Sequence, residues 1–259
     1  ARRKSLQISG GLGMETWRLF RLACLFALAT AETHLHTTRR GLGTILRRRP
    51  SMVDFRSHGC MRPTRRRRAL AFASDGANTA PRPTKVLFVC LGNICRSPSA
   101  EAVFTKVAAD AGAAEKFEID SCGTGGGLAS WYLTDPPQAY HEGECADPRM
   151  TAAASTRGIT LTSISRPLTK EDLKNQDRII VMDKSNLAEV RRAAEHWGEE
   201  YASLAKEKTS MMMDYASEGS GQGQPVPDPY YGGPKGFDLV LDLLEDACVG
   251  LLTDITKKQ

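Results

Sequence analysis

The most informative stretch of the 259-residue chain reads Lys85-Val-Leu-Phe-Val-Cys90-Leu-Gly-Asn-Ile-Cys-Arg96-Ser97. Its first six residues form an almost continuous apolar run, which is typical of a parallel strand buried on both faces. The run breaks after Cys90, and Ser97-Pro98 then predicts the start of a helix, with Ser97 as the capping residue and Pro98 in the first turn. The sequence therefore predicts a strand, a short loop and a helix, with Cys90 and Arg96 at the two ends of the loop.

Further strands and helices alternate along the rest of this region. Apolar patterning predicts strands over 117–120 and 177–182, and helices over 148–157, 184–206 and 237–258, with a Gly-rich loop at 123–127 and a loop rich in Gly and Pro at 219–229. The last helix has apolar residues at spacings of three and four, so it is expected to pack on the sheet. Strands that alternate with helices in this way indicate a parallel α/β sandwich.

The loop between Cys90 and Arg96 suits phosphoryl transfer to sulfur. Backbone N–H groups of a short loop and the N-terminus of a helix can surround one dianion. Arg96 can bind two phosphate oxygens with its planar fork, and the same field favours a thiolate at Cys90. Gly92 lets the loop close on the anion, and Asn93 tolerates a left-handed backbone. The alternative is that Cys90 and Cys95 are buried thiols in an ordinary turn.

Charge divides the chain at about residue 84. Residues 1–84 hold 17 Lys and Arg against 4 Asp and Glu, a net charge of +13, whereas residues 85–259 hold 18 against 26, a net charge of −8. Because the globular part is acidic, a nucleic-acid-binding fold is excluded as a first hypothesis. We therefore predict a disordered basic presequence and linker over 1–84 and one domain over 85–259.

The presequence has two parts. Residues 14–31 have the layout of a secretory signal peptide, whose apolar stretch is too short to span a membrane. Residues 32–80 are rich in Arg and poor in acids, as transit peptides are. The pair resembles the bipartite presequences of algae and predicts a plastid location, with no membrane in the mature form. The alternatives are a retained basic arm that binds nucleic acid or a membrane surface, and a cytoplasmic protein.

Neither the cysteines nor the histidines indicate a metal. Seven Cys in 259 residues are too few for a disulfide scaffold, and no Cys-x-x-Cys pair is present. The five His are too scattered in the sequence for a metal site. Cys122, Cys145 and Cys248 are expected to be small buried apolar residues. We therefore expect no metal and no cofactor.

Six segments in order resemble the low-molecular-weight protein tyrosine phosphatases. The active-site signature of that family resembles Val89-Cys-Leu-Gly-Asn-Ile-Cys-Arg-Ser-Pro98, and the other matching segments are Ser121-Cys-Gly-Thr124, Ala146-Asp-Pro-Arg-Met150, Ser165-Arg-Pro-Leu168, Met182-Asp-Lys-Ser-Asn186 and Asp228-Pro-Tyr-Tyr-Gly232. The resemblance implies a three-layer α/β sandwich in which a four-stranded parallel sheet has helices on both faces. It also implies metal-free hydrolysis of phosphomonoesters, acting as a monomer on phosphotyrosine-containing proteins or small aryl phosphates.

The same resemblance assigns roles to residues. Cys90 would be the nucleophile, Arg96 the phosphate-binding cation, and Asp228 the general acid that protonates the leaving group and then activates water. Tyr140, Tyr230 and Tyr231 would wall the substrate cleft. The phosphate would be bound by Leu91, Gly92, Asn93, Ile94, Cys95, Arg96 and Ser97. Without the resemblance, Asp228 would be read as a turn residue and the tyrosine pair as core packing.

The chain departs from compact members of the family at two places, in an insertion and at Ser163. An insertion over about 126–139 contains Trp131 and Tyr132, is expected to reshape the substrate rim, and resembles plant and algal members. Ser163 stands where some members have a His that helps to hold the phosphate-loop Asn, so the network round Asn93 is expected to be weaker. Cys95 is a possible redox partner of Cys90, since a reversible disulfide would protect the nucleophile.

Three other functions remain open at this point. An arsenate reductase of the same fold would need a relay of further cysteines and would not need Asp228. A protein-arginine phosphatase would have a Thr in place of Ile94, whose bulk should exclude a guanidinium-linked phosphate. A phosphate-binding regulatory module without turnover would tolerate loss of Cys90, Arg96 or Asp228, all of which are present.

Overall fold

The computed structural model of the protein describes residues 82–258. The predicted presequence, residues 1–84, lies outside the described residues except for its last three. The described part begins at Arg82, whose two terminal nitrogens donate to the carboxylate of Asp177 at 2.8 Å each. The same carboxylate accepts from the backbone N–H of Lys85 at 2.9 Å, which fixes the chain where the first strand begins. Within 82–258, no helix has the length and apolar character needed to cross a membrane.

Four parallel strands form one sheet. They are β1 (Thr84–Cys90), β2 (Phe117–Gly123), β3 (Arg178–Val181) and β4 (Thr209–Met211), in the order β2-β1-β3-β4. In the register, Cys90 lies opposite Gly123, and Val89 lies opposite Val181. Because all four strands are parallel, their carboxyl ends meet at one edge of the sheet, where Cys90 is found. The predicted fold class, an α/β sandwich with a four-stranded parallel sheet, is confirmed.

Within residues 82–258, six α-helices cover the two faces of the sheet. They are α1 (Arg96–Asp110), α2 (Pro148–Thr156), α3 (Lys170–Asn175), α4 (Lys184–Trp197), α5 (Glu199–Lys208) and α6 (Pro234–Lys257). Short 3₁₀ turns occur at Ala114–Lys116, Gly125–Gly127 and Met212–Tyr215.

Alternate residues of β1 enter two separate hydrophobic clusters. Val86, Phe88 and Cys90 pack in the cluster to which α1, α2 and α6 contribute, whereas Leu87 and Val89 pack in the cluster to which α3, α4 and α5 contribute. Each β1 side chain from Val86 to Val89 is fully buried. Burial on both faces explains why the strand reads as a continuous apolar run and not as an alternating pattern.

Two predictions of local structure are corrected, and one strand was not predicted. The helix predicted over 184–206 is two helices, because Gly198 between α4 and α5 has φ 126°, a conformation that only glycine adopts readily. Ser97 does not cap α1: the helix begins at Arg96, and the Ser97 hydroxyl instead donates to Cys90 Sγ and the carbonyl of Cys122. The short strand β4 had no apolar run of its own from which it could be predicted.

Two aromatic residues of the insertion over 126–139 belong to the second cluster: Trp131 is one of its members, and Tyr132 packs against it. Trp131 is 1% exposed and contacts Trp197 of α4 edge-on, with ring centroids 6.0 Å apart. Its indole N–H donates to Glu189 at 3.2 Å, and the Trp197 indole N–H donates to the carbonyl of Tyr132 at 3.0 Å. The expectation that the insertion shapes the substrate rim therefore holds only at its first residue, Gly126, which lines the cleft.

Candidate active site

Two hydrogen bonds converge on the sulfur of Cys90 at the end of β1. The backbone N–H of Asn93 donates to Sγ at 3.2 Å, and the hydroxyl of Ser97 donates to it at 3.1 Å. The loop over 91–95 therefore curls back over the thiol before α1 begins. The N-terminus of α1 adds partial positive charge at the same point.

Asn93 holds the loop in this shape. It is buried, and its φ of 54° is the left-handed conformation that the sequence predicted. Its side-chain amide donates to the hydroxyls of Ser97 and Ser121 at 2.9 Å each, and its side-chain oxygen accepts from the backbone N–H of Arg166 at 3.0 Å. The loop is thus tied to β2 and to the segment before α3.

Ser163, which was expected to leave the network round Asn93 weaker, does not join this network directly. It donates to Glu101 of α1 at 2.6 Å. Glu101 also has a hydrogen bond with Ser121, which accepts from Asn93. Burial raises the pKa of Glu101, although the hydrogen bonds from Ser163 and Ser121 work to lower it. Ser163 is therefore linked to Asn93 only through Glu101 and Ser121.

Arg96 lies between two carboxylates. Its Nη1 donates to Asp183 at 2.5 Å and its Nη2 donates to Asp228 at 2.8 Å, and the residue as a whole is 3% exposed. Burial works to lower the pKa of Arg96, but the negative charges of Cys90, Asp228 and Asp183 outweigh it and raise that pKa. The guanidinium is thereby held charged and oriented.

Asp183 had no role predicted from the sequence, although it lies in one of the six segments that resemble the family. Asp183 caps α4, with its Oδ1 accepting from the backbone N–H of Asn186 at 2.7 Å, while its Oδ2 holds Arg96. The available signal was its position just after the buried strand β3, because the carboxyl ends of neighbouring parallel strands share one edge of the sheet.

Asp228 reaches the site on a segment anchored to β3's end. The backbone N–H of Val226 donates to the carbonyl of Met182 at 2.9 Å, and Val226 is buried. Asp228 itself is partly open to solvent, and its Oδ1 accepts from the backbone N–H of Tyr230 at 3.1 Å. The carboxylate therefore lies at the mouth of the site, beside the arginine and within reach of solvent.

A single cleft contains nearly all the predicted site residues. Its volume is about 210 Å³, and it is lined by Cys90, Leu91, Gly92, Ile94, Cys95, Arg96, Gly126, Tyr140, His141, Asp228, Tyr230 and Tyr231. Asn93 and Ser97 lie behind this lining, on the sulfur. The three tyrosines form the rim, with exposures of 70% for Tyr140, 38% for Tyr230 and 92% for Tyr231. His141, which sequence reasoning did not assign, lies beside Gly92 and contacts Glu144 at 2.8 Å.

The remaining cysteines divide into buried and exposed ones. Cys95 is buried in the loop, and burial together with the nearby Asp147 and Cys90 raises its pKa. Cys122 and Cys248 are fully buried, as predicted for small apolar residues, and burial raises the pKa of each thiol. Cys145 is exposed, so its prediction was wrong. Over 82–258, no three His, Cys, Asp or Glu side chains are grouped as ligands for a metal ion.

This fold and site define a class of protein: an α/β phosphatase with a cysteine-containing phosphate loop between its first strand and first helix. The family model for low molecular weight phosphotyrosine protein phosphatase matches residues 85–259. The chain therefore belongs to the low molecular weight phosphotyrosine protein phosphatase family, and it is a phosphatase.

Individual relatives agree with the family match. A putative low molecular weight protein-tyrosine-phosphatase of Synechocystis is 39% identical over 174 residues, which are 67% of this chain and 98% of the relative. A low molecular weight phosphotyrosine protein phosphatase of Schizosaccharomyces pombe is 40% identical over 163 residues, 62% of this chain and 90% of the relative. A crystal structure of a protein tyrosine phosphatase from Entamoeba histolytica superposes with a TM-score of 0.56 at 42% identity, over 68% of this chain and 98% of that chain.

Proposed function

We propose that the chain hydrolyses phosphotyrosine and other aryl phosphomonoesters through a phosphocysteine intermediate on Cys90. The observation that carries this proposal is the convergence of Cys90, Arg96 and Asp228 on one cleft of about 210 Å³. A nucleophile, a cation for the phosphoryl oxygens and a proton donor are the three groups that the reaction needs.

In the first step, the Cys90 thiolate attacks phosphorus and the bond from phosphorus to the phenolic oxygen breaks. Asp228, in its protonated form, gives its proton to the leaving oxygen, so that a neutral phenol departs. Arg96 and the backbone N–H groups of the loop bind the equatorial oxygens, where charge is concentrated in the transition state.

In the second step, Asp228 acts in the opposite direction. As a carboxylate it takes a proton from a water molecule that attacks the phosphocysteine, and the bond from phosphorus to sulfur breaks. Inorganic phosphate leaves, and the thiolate is regenerated, stabilised by the Asn93 N–H and the Ser97 hydroxyl. Neither step needs a metal ion.

The aromatic side chains at the rim of the cleft favour aryl phosphates as substrates. Tyr140, Tyr230 and Tyr231 present large apolar surfaces round a narrow opening, and Leu91 is also exposed at this cleft. A phosphorylated tyrosine ring would pass between these rings to place its phosphate on the loop, whereas a phosphorylated serine is shorter and gives the walls little to contact. Phosphotyrosine-containing proteins are therefore the substrate class we favour.

The direct test is hydrolysis of 4-nitrophenyl phosphate by the full chain in EDTA. Cys90→Ser should abolish turnover, and Asp228→Ala should lower kcat by about 10² to 10³. Arg96→Lys should lower kcat/KM strongly because the bidentate contact is lost. A folded, fully reduced wild-type chain with no turnover would rule out this function, and turnover of arsenate instead would favour the reductase alternative.

We propose that residues 1–84 act as a bipartite presequence that directs the domain to a plastid. In that compartment the domain works as a monomer. The presequence charge of +13 beside a domain of −8 supports this separation of roles. A fluorescent protein fused after residue 84 should enter the plastid. N-terminal sequencing of the purified native protein should find the basic segment removed. Its retention, or a cytoplasmic signal, would contradict the proposal.

A further inference from the structure

Arg149 lies at the edge of the cleft but has no part in the chemistry described above. It belongs to α2, and its side chain is half exposed. The centre of its guanidinium is 5.2 Å from the ring centroid of Tyr230 and 5.0 Å from that of Phe237. Both distances are within the range in which an arginine and an aromatic ring attract one another. The guanidinium therefore joins a rim tyrosine to a ring of the core.

Hydrogen bonds to Asp147 fix the position of this guanidinium. Its Nε and Nη2 donate to the two oxygens of Asp147 at 3.1 and 2.8 Å. Asp147 is buried, caps α2 with its side chain, and donates its own backbone N–H to the carbonyl of Ile94 at 2.7 Å. Arg149 is thus tied through one residue to the phosphate loop.

Its two aromatic partners are tied to other parts of the domain. Phe237, near the start of α6, is buried in the first hydrophobic cluster and is held by its packing there. Tyr230 lines the cleft, and its backbone N–H donates to Asp228 at 3.1 Å. A cation held between these rings therefore sets the distance between the phosphate loop and the Tyr230 wall.

We propose that Arg149 is a positioning residue that holds the ring of Tyr230 against the cleft and thereby gives the site its preference for aromatic leaving groups. The inference rests on the proposed function, and it concerns the aryl group alone. Arg149 is paired with Asp147, so it adds little net charge for an anion, and phosphate binding should depend on the loop and not on Arg149.

The test compares two ligands that share the phosphate site but differ in the ring. Binding of benzylphosphonate and of inorganic phosphate to the full chain is measured by calorimetry, which needs no turnover. Arg149→Met should weaken benzylphosphonate binding about three- to tenfold, the range for loss of one partly exposed cation–π contact, and should leave phosphate within about twofold. Arg149→Lys keeps the charge but loses the fork, and should weaken benzylphosphonate binding less.

A double-mutant cycle shows whether Arg149 acts through Tyr230. In a Tyr230→Leu background, Arg149→Met should change benzylphosphonate affinity by less than about twofold, because the ring it positions is absent. Arg157→Met is the matched control. Arg157 directly follows α2 and, like Arg149, contacts α6, in its case through Asp242 at 2.7 Å. Of the two arginines, Arg149 is the one that packs on the ring of Tyr230. Arg157→Met should leave the affinities for both ligands unchanged.

The outcomes separate the two proposals. Equal weakening of both ligands, or none, in Arg149→Met would overturn the positioning role, as would a full effect in the Tyr230→Leu background. If Arg149→Met does not fold, as judged by thermal unfolding, Arg149→Lys carries the same comparison. A wild-type chain that binds neither ligand and shows no turnover would instead contradict the proposed function.

Discussion

The Nη2 atom of Arg96 donates to Oδ2 of Asp228 at 2.8 Å, so the cation assigned to the phosphoryl group is paired with the acid assigned to the leaving group. Asp183 holds the other terminal nitrogen and is the less exposed of the two carboxylates. The two carboxylates therefore differ in function: Asp183 orients the guanidinium, and Asp228 competes with an incoming anion for it. A phosphate that binds Nη2 must take the place of Asp228, which frees that carboxyl to reach the leaving oxygen.

This exchange predicts opposite effects of one substitution. Asp228→Ala should lower kcat by about 10² to 10³ while it tightens binding of inorganic phosphate several-fold at neutral pH, because a competing negative charge is removed. Competitive inhibition by phosphate measures the second effect. Asp228→Asn is the matched control of similar shape, and it should reproduce both effects. Weaker phosphate binding in either variant would contradict the exchange.

Cys95 is predicted to protect the nucleophile. Both thiols line the same cleft, and a disulfide between them would block further oxidation of Cys90. Wild-type activity lost to hydrogen peroxide should return on treatment with dithiothreitol, whereas Cys95→Ser should recover much less. Cys248→Ala, which removes a buried thiol elsewhere in the same cluster, should recover like the wild type. Equal recovery in all three proteins would exclude the protective role.

Glu101 predicts a pH dependence of stability. Burial raises its pKa above the ordinary value of 4.5, so folding favours its protonated form. The contribution of Glu101 to stability is present below pH 4.5 and is lost as pH rises from there to the raised pKa. Glu101→Gln does not titrate, so its free energy of unfolding relative to the wild type should increase between pH 4 and pH 7.

Urea unfolding at several pH values measures this difference. Ser163→Ala removes the 2.6 Å hydrogen bond that works to lower the pKa of Glu101, so the loss of stability with rising pH should be larger than in the wild type. Parallel pH profiles for the wild type and Glu101→Gln would show that Glu101 titrates alike in the folded and unfolded chains.

Gly250 is predicted to be required in the middle of α6. A methyl group at this position would overlap the carbonyl oxygen of Tyr215 in the 3₁₀ turn that follows β4. Gly250→Ala should therefore lower the free energy of unfolding by about 2 kcal/mol, even though Ala favours helices. Gly236→Ala, near the start of the same helix and with only ordinary contacts to Pro229, should be neutral or slightly stabilising. Urea unfolding of both variants decides the matter, and equal stabilities would refute the overlap.

Much of the fold could be predicted because it depends on short-range patterns. The apolar run before Cys90, the helix starting near Ser97-Pro98 and the spacing of apolar residues in α6 all reflect burial of one continuous element. The prediction of one helix over 184–206 was wrong for a local reason, since a single glycine with positive φ, Gly198, divides a pattern that is otherwise helical.

The contacts within the site could be predicted only in part, because they join residues that are distant in the sequence. The pairing of Arg96 with Asp183 joins residues 87 positions apart, and it exists because β1 and β3 are neighbours in the sheet. Ser163 was expected to weaken the network round Asn93; its hydroxyl donates to Glu101 instead, and Ser121 is the residue that accepts from Asn93. Trp131 belongs to the insertion that was expected to reshape the rim, but it is buried, because α4 offers it an aromatic partner that the linear sequence does not place nearby.

β1 has a practical consequence for how the protein can be handled. The strand has seven residues and runs from Thr84 to the nucleophile Cys90 at its other end, a rise of about 20 Å. Anything joined to the chain ahead of Arg82 is attached at the opposite edge of the sheet from the chemistry. Tethering the domain to a sensor surface through that end should leave the cleft facing the solution, so that captured phosphopeptides can be read out in real time.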